Sequence, residues 1–216
     1  MPTETTVAGR RGRFITLEGG EGAGKSTQLG RLAEALRARG LEVVETREPG
    51  GSPGAEAIRE LLLQGDEQRW AAEAEALLFA AARSDHVARL IRPALAEGKW
   101  VLCDRFLDSS LAYQGGAGGV GVEAVRELHH IGSGGLLPDR TLLLELSAGA
   151  AAERANNRDG GEGDRIGGRG GAYHGQVAAA FAALAAAEPE RFRPIDGAGP
   201  ADAVTARLMA AIEDLL

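Results

Sequence analysis

Cysteine is almost missing from this 216-residue chain: only Cys103 occurs. A disulfide within the chain is therefore excluded, and so is a zinc site built from thiolates alone. A reducing, cytoplasmic setting is the expectation. No run is apolar for long enough to span a bilayer. Residues 1–12 (MPTETTVAGRRG) lack the apolar segment of a secretory signal and read as a loose tail ahead of one domain over 13–216. Positive charge is in deficit, with a formal net charge of −7, which argues against a nucleic-acid surface. A few clustered arginines can still make a local anion site. No internal repeat is visible, and His129 and His130 lack metal-ligand spacing and read as structural.

What is present suits one α/β domain. Hydrophobic residues make up 44% and charged residues 25%. Short apolar runs at Phe14–Leu17, Leu41–Glu45, Trp100–Cys103, Leu142–Leu146 and, more weakly, Phe192–Ile195 alternate with helical patterns. Leu29, Leu32, Ala33 and Leu36 share one helical face, and Val204, Leu208, Ile212 and Leu215 form another behind Pro200. Residues 70–97 are helical in pattern. The alternation predicts a doubly wound, three-layer fold around a five-stranded parallel sheet. Two glycine-rich stretches interrupt it. Gly115–Gly121 reads as a loop. Residues 154–171, with Arg158, Arg165 and Arg169, read either as a solvated loop or as a lid that carries positive charge over phosphates.

The segment FITLEGGEGAGKST holds Gly19-x-x-x-x-Gly24-Lys25-Ser26 between a strand and a helix. In that context the motif is a P-loop. Backbone N–H groups of Gly19, Gly20, Glu21, Gly22, Ala23 and Gly24, with the helix N-terminus at Lys25, Ser26 and Thr27, are placed to cradle the phosphates of a nucleoside triphosphate, which the resemblance below makes ATP. Lys25 is expected on the β- and γ-phosphates, and the Ser26 hydroxyl on Mg²⁺. Asp104 ends an apolar strand and fits a second metal-placing position, although a helix N-cap also suits it. Arg105 follows it toward the same crevice. Arg47-Glu48-Pro49-Gly50-Gly51 ends the second strand there as well. Phe79 and Arg83 share a helical face, and the ring and guanidinium suit a base, or else a core position and a surface one. No N-K-x-D signal for guanine occurs.

The segments FITLEGGEGAGKST, TREPGG, LLFAAARSDH, WVLCDRFLDSSLAYQG, LPDRTLLLEL and DRI at 164–166 resemble thymidylate kinases, in the family's order across nearly the whole chain. The resemblance implies a P-loop NTPase of nucleoside monophosphate kinase type that phosphorylates dTMP with ATP and Mg²⁺ as a homodimer. It implies that Arg47 and Arg105 hold the dTMP phosphate, Phe79 stacks on thymine and Arg83 bonds its carbonyl edge. Ser110, Tyr113 and Gln114 match positions near base and sugar, Pro49 a proline after a cis bond, and Glu18 an acidic residue near metal and substrate. Glu21 would lie near the dTMP sugar. Because residues 20–23 contain no basic side chain, the chain resembles the bacterial subtype, whose catalytic arginine comes from the lid. Arg158 and Arg165 are the candidates, and Arg154 resembles a residue packing on adenine. Gly167, Gln176 and Ala178 depart from the family pattern and leave the choice of lid arginine open. Another nucleoside monophosphate kinase, or a non-catalytic ATP-binding regulator, remains an alternative.

Overall fold

The computed structural model describes residues 11–66, 68–146 and 165–216. Five parallel strands form one sheet: β1 (Phe14–Glu18), β2 (Val43–Arg47), β3 (Trp100–Asp104), β4 (Arg140–Glu145) and β5 (Phe192–Asp196). Their order is β2-β3-β1-β4-β5. β1 thus lies between β3 and β4, at the point where the connections diverge, and the crevice beyond the strand ends is the ligand position of such sheets. The five-stranded parallel sheet expected from the alternation is observed.

Successive strand residues face opposite sides. Ile15, Leu17, Trp100, Leu102, Leu142 and Leu144 pack with α1 (Lys25–Ala38) and the C-terminal helix Ala201–Ala210. Phe14, Val101, Cys103 and Leu143 pack on the other side, among Ile91, Phe106, Val125 and Phe181. Leu32 and Leu36 are fully buried in the first of these cores, so truncating either to alanine costs about 2–5 kcal/mol.

Between β2 and β3 run α2 (Pro53–Leu63) and α3 (Ala72–His86). α3 continues through a π-helical turn, Val87–Ile91, into α4 (Arg92–Ala96), so the helical reading of 70–97 holds in outline. After β3 come α5 (Leu107–Ser110), a second π-helical stretch Leu111–Ala117, and α6 (Val122–Ser133). The helix Gly171–Ala187 is α7 and Ala201–Ala210 is α8.

Two local expectations change. β2 starts at Val43 rather than Leu41, because the Leu41 N–H still bonds Leu36 O at 3.3 Å and closes α1. The expected loop Gly115–Gly121 is helical as far as Ala117. Gly118 N–H donates to Tyr113 O at 2.7 Å, and a Cβ on Gly115 would stand 3.2 Å from Val122 Cα. Glycine there admits close approach of α6 rather than free movement. At the N-terminus, Gly12 is packed: a Cβ on it would meet Lys99 O at 2.4 Å.

Candidate active site

The register brings three strand ends level. Leu17 pairs with Asp104, and Arg47 pairs with Asp104 from the other side. The cleft above them has a volume of about 270 Å³. Lys25, Arg47, Arg59, Arg83 and Arg105 line it against only three carboxylates, those of Glu21, Glu48 and Asp104. An acidic chain thus holds a locally cationic cavity, suited to an anionic ligand.

The P-loop follows β1 directly. Gly19, Gly22 and Gly24 have φ of 138°, 70° and 87°, a region open chiefly to glycine. A Cβ on Gly19 would meet Leu144 O at 2.4 Å, so the loop also needs glycine to sit against β4. Lys25 begins α1 and its Nζ donates to Gly20 O at 2.8 Å and Gly19 O at 3.2 Å. Burial, with the Arg105 charge second, pushes the Lys25 pKa down to about 8. A bound polyphosphate would favour the charged form again. Ser26 Oγ donates to Asp104 Oδ2 at 2.6 Å, which brings two hard oxygens to one point. Thr27 lies exposed in the first turn of α1.

Arg105 joins the two halves of the cleft. It is the one non-glycine with positive φ (65°) among the described residues. Such a conformation costs of order 1 kcal/mol and persists where the surroundings impose it. Its N–H donates to Leu17 O at 3.0 Å. Nη1 donates to Gly19 O at 3.0 Å, Nη2 pairs with Glu21 Oε1 at 2.5 Å, and the guanidinium lies 5.1 Å from the Tyr113 ring centroid. Tyr113 Oη also donates to Glu21, and burial pushes its pKa up to about 12. Glu18 is fully buried and takes hydrogen bonds from Phe106 N–H at 2.8 Å and Ser109 Oγ at 2.6 Å. It therefore supports the turn that presents Arg105. Burial first, and Asp108 second, push its pKa to about 7.

The opposite wall is one stripe of α3. Glu75, Phe79, Arg83 and His86 recur at helical spacing on a single face. Phe79 is half-buried and lines the cleft. Arg83 Nε donates to Glu48 Oε2 at 2.7 Å, and Nη2 donates to Ser110 Oγ at 2.7 Å and Phe106 O at 3.1 Å. Gln114 Nε2 donates to Glu75 Oε1 at 2.9 Å. On the second strand end, Arg47 Nη2 reaches both carboxylate oxygens of Glu56 at 3.1 Å. The Glu48–Pro49 bond is cis, as the resemblance implied.

All the expected acceptor-side residues therefore meet in one cleft: Glu21, Arg47, Pro49, Phe79, Arg83, Arg105, Ser110, Tyr113 and Gln114. Less of the expected lid lies among the described residues. Arg154 and Arg158 lie outside the described residues. Arg165 is buried; its Nη2 pairs with Glu75 Oε2 at 2.6 Å and its Nε donates to Leu62 O at 2.7 Å. Arg169 Nη2 reaches the same Glu75 oxygen at 2.6 Å. Sequence reasoning missed Arg59, which lines the cleft and donates from Nη1 to Pro49 O at 2.6 Å. Nothing local in the sequence links it to Pro49, ten residues before it. Glu48 and Glu75 were missed because their partners are remote in sequence.

A family model for thymidylate kinase matches residues 17–208. The thymidylate kinase of Rhizorhabdus wittichii is 64% identical over 205 residues, covering 95% of this chain and 99% of that protein. That of Caulobacter vibrioides is 50% identical over 198 residues, covering 92% and 94%. The crystal structure of thymidylate kinase from Ehrlichia chaffeensis superposes with a TM-score of 0.75 at 30% identity, over 94% of this chain and 98% of that one.

Proposed function

The chain belongs to the thymidylate kinase family and phosphorylates dTMP to dTDP, and we propose that the cleft over β1, β2 and β3 is where ATP and dTMP meet. The observation that carries this reading is the place of Arg105. Its guanidinium touches the P-loop carbonyl of Gly19 and also lines the cavity shared with Arg47, Phe79 and Arg83. A simple ATP switch has no need of that second cationic wall.

In the reaction, an oxygen of the dTMP phosphate attacks the γ-phosphorus in line. The new P–O bond forms as the β–γ bridging bond breaks, and ADP leaves. The chief difficulty is the approach of two anions, so fixed positive charge is the main contribution of the protein. Lys25 and the P-loop amides would hold the donor, with Arg47 and Arg105 on the acceptor phosphate. Phe79 would stack on the base and Arg83 would bond its carbonyl edge. Ser26 and Asp104 would hold Mg²⁺. A pair of hard oxygens suits an ion that takes its other ligands from phosphate and water. When bound, the ion neutralises charge on the β- and γ-phosphates.

The lid between Arg154 and Arg169 would close over the donor and exclude water. The pairing of Arg165 with Glu75 supports Arg158 as the arginine that reaches the transferred group. The homodimer is part of the same reading. Leu61, Leu77 and Ile131 are 41%, 55% and 73% exposed, on α2, α3 and α6, which pack side by side. Light scattering should give twice the chain mass, and Leu77→Asp with Ile131→Asp should give the monomer. A cytoplasmic location fits the single buried thiol, Cys103. Among the described residues, no helix is long and apolar enough to cross a membrane.

The assignment is tested by ADP release in the presence of each nucleoside monophosphate. dTMP should be preferred, and Lys25→Ala and Arg105→Ala should each lower turnover roughly 10³-fold or more. A purine acceptor preferred over dTMP, or near-normal turnover in either variant, would overturn it.

A further inference from the structure

His86 lies outside the cleft lining yet is fully buried one turn beyond Arg83 on α3. Its ring has a partner on each side. Nδ1 bonds Glu48 Oε1 at 3.0 Å, and Nε2 bonds Thr46 Oγ1 at 2.8 Å. A carboxylate only accepts, so Nδ1 carries the hydrogen of the first bond. The other Glu48 oxygen accepts from Arg83 Nε at 2.7 Å. Glu48 is 6% exposed and Arg83 2% exposed, so little water is available to replace either bond. The ring also abuts the turn after β2. A Cβ on Gly51 would stand 2.4 Å from both His86 Nε2 and Thr46 Oγ1.

We propose that His86 is a positioning residue for base recognition: it fixes the Glu48 carboxylate, and through it the rotation of the Arg83 guanidinium. Arg83 has two other holds, Phe106 O and Ser110 Oγ, but both act on Nη2. They hold the Nη2 end alone, and among the bonds Arg83 makes only the one to Glu48 holds the Nε end. With Glu48 fixed, the guanidinium is anchored at two of its three nitrogens and cannot slide along its own plane. With both in place, Nη1 is left without a hydrogen-bond partner among the described residues, on a side chain that lines the cleft. A donor fixed in this way donates to a ring carbonyl and disfavours a ring amino group at the same place. Discrimination of this kind depends on a buried donor that cannot turn away to find another partner.

The inference rests on the reading of Arg83 as the group facing the base. The test uses two isosteres of half the ring. His86→Asn places an amide nitrogen where Nδ1 stands and keeps the bond to Glu48. His86→Gln places its amide near Nε2 and keeps only the side toward Thr46. The readout is kcat/KM for dTMP divided by that for dCMP, with the KM for ATP and the thermal midpoint measured alongside. His86→Gln should lower the ratio about tenfold, the scale of one lost hydrogen bond to a charged group. His86→Asn should stay within about threefold of the parent, and the KM for ATP should not move in either. Equal loss in both variants, an unchanged ratio in His86→Gln, or an ATP KM that rises in step would overturn the proposal. Arg83→Gln separates the two levels. If it leaves the ratio intact, the base-reading role of Arg83 falls and takes this inference with it. If it collapses the ratio while His86→Gln does not, only the role of His86 falls.

Discussion

Replacing Glu75 by glutamine should destabilise the protein by about 3–5 kcal/mol without removing any volume. Glu75 is 3% exposed and accepts hydrogen bonds from Arg165 and Arg169 at 2.6 Å each, with Gln114 at 2.9 Å on its other oxygen. The side chain of Arg165 is fully buried and that of Arg169 is 16% exposed. Removing this carboxylate takes a buried negative charge away from two guanidinium groups at once, the situation that makes breaking a buried pair costly. For a chain of this size, each kcal/mol lowers the melting temperature by roughly 2–4 °C, so the expected fall is about 6–20 °C. Urea unfolding should show the same loss in midpoint with an unchanged slope. A double-mutant cycle with Arg165→Gln isolates the pair, and its coupling should exceed about 1 kcal/mol. A melting shift under about 2 °C, or coupling within error of zero, would refute the claim that this carboxylate holds the chain at Arg165.

The two lid candidates should behave differently. Arg158→Ala should cut turnover by about 10³-fold with little change in melting temperature, whereas Arg165→Ala should lower melting by several degrees, and single-turnover kinetics with thermal melts of both would show it. Glu21→Gln removes the charge that Arg105 pairs with in the cleft. It should leave the fold intact and change the KM for dTMP severalfold, read by steady-state kinetics; an unchanged KM would deny Glu21 a place near the acceptor. His129 contributes a pH dependence. Burial first, and the nearby Arg83 charge second, push its pKa down to about 4 from 6.5. The unfolded chain therefore binds the extra proton first, so the stability tied to the neutral ring is present above pH 6.5 and is lost as pH falls toward 4. Thermal melts of the parent should drop more steeply across that window than those of His129→Gln.

How much of this was legible in the sequence depended on distance along the chain. The P-loop, the Asp104–Arg105 pair and the Arg47 turn could be read because each is a short run whose spacing already states its geometry. Phe79 and Arg83 were legible as a helical pair. What could not be read were the carboxylates that orient them. Glu48 meets His86 across 38 residues and Glu75 meets Arg165 across 90. A glutamate in isolation carries no sign of which arginine it will find. The glycines at 115–121 misled for a different reason. Composition records that glycine permits movement, but not that Gly115 is glycine so that α6 can come close. The resemblance set Glu18 near metal and substrate, and it could not tell that the two oxygens of Glu18 accept from Phe106 N–H and Ser109 Oγ.

The α3 stripe imposes a constraint on how this chain can change. Glu75, Phe79, Arg83 and His86 do four separate things, and they do them only because they come round on the same side of one helix. A substitution at any of them alters one contact. A single residue inserted between Ala76 and Ala82 would turn everything after it by about 100° and carry Arg83 and His86 away from Glu48 together. Length in this helix is therefore far less negotiable than composition, and in homologous chains gaps should avoid residues 75–86 even where the side chains between the four positions drift freely.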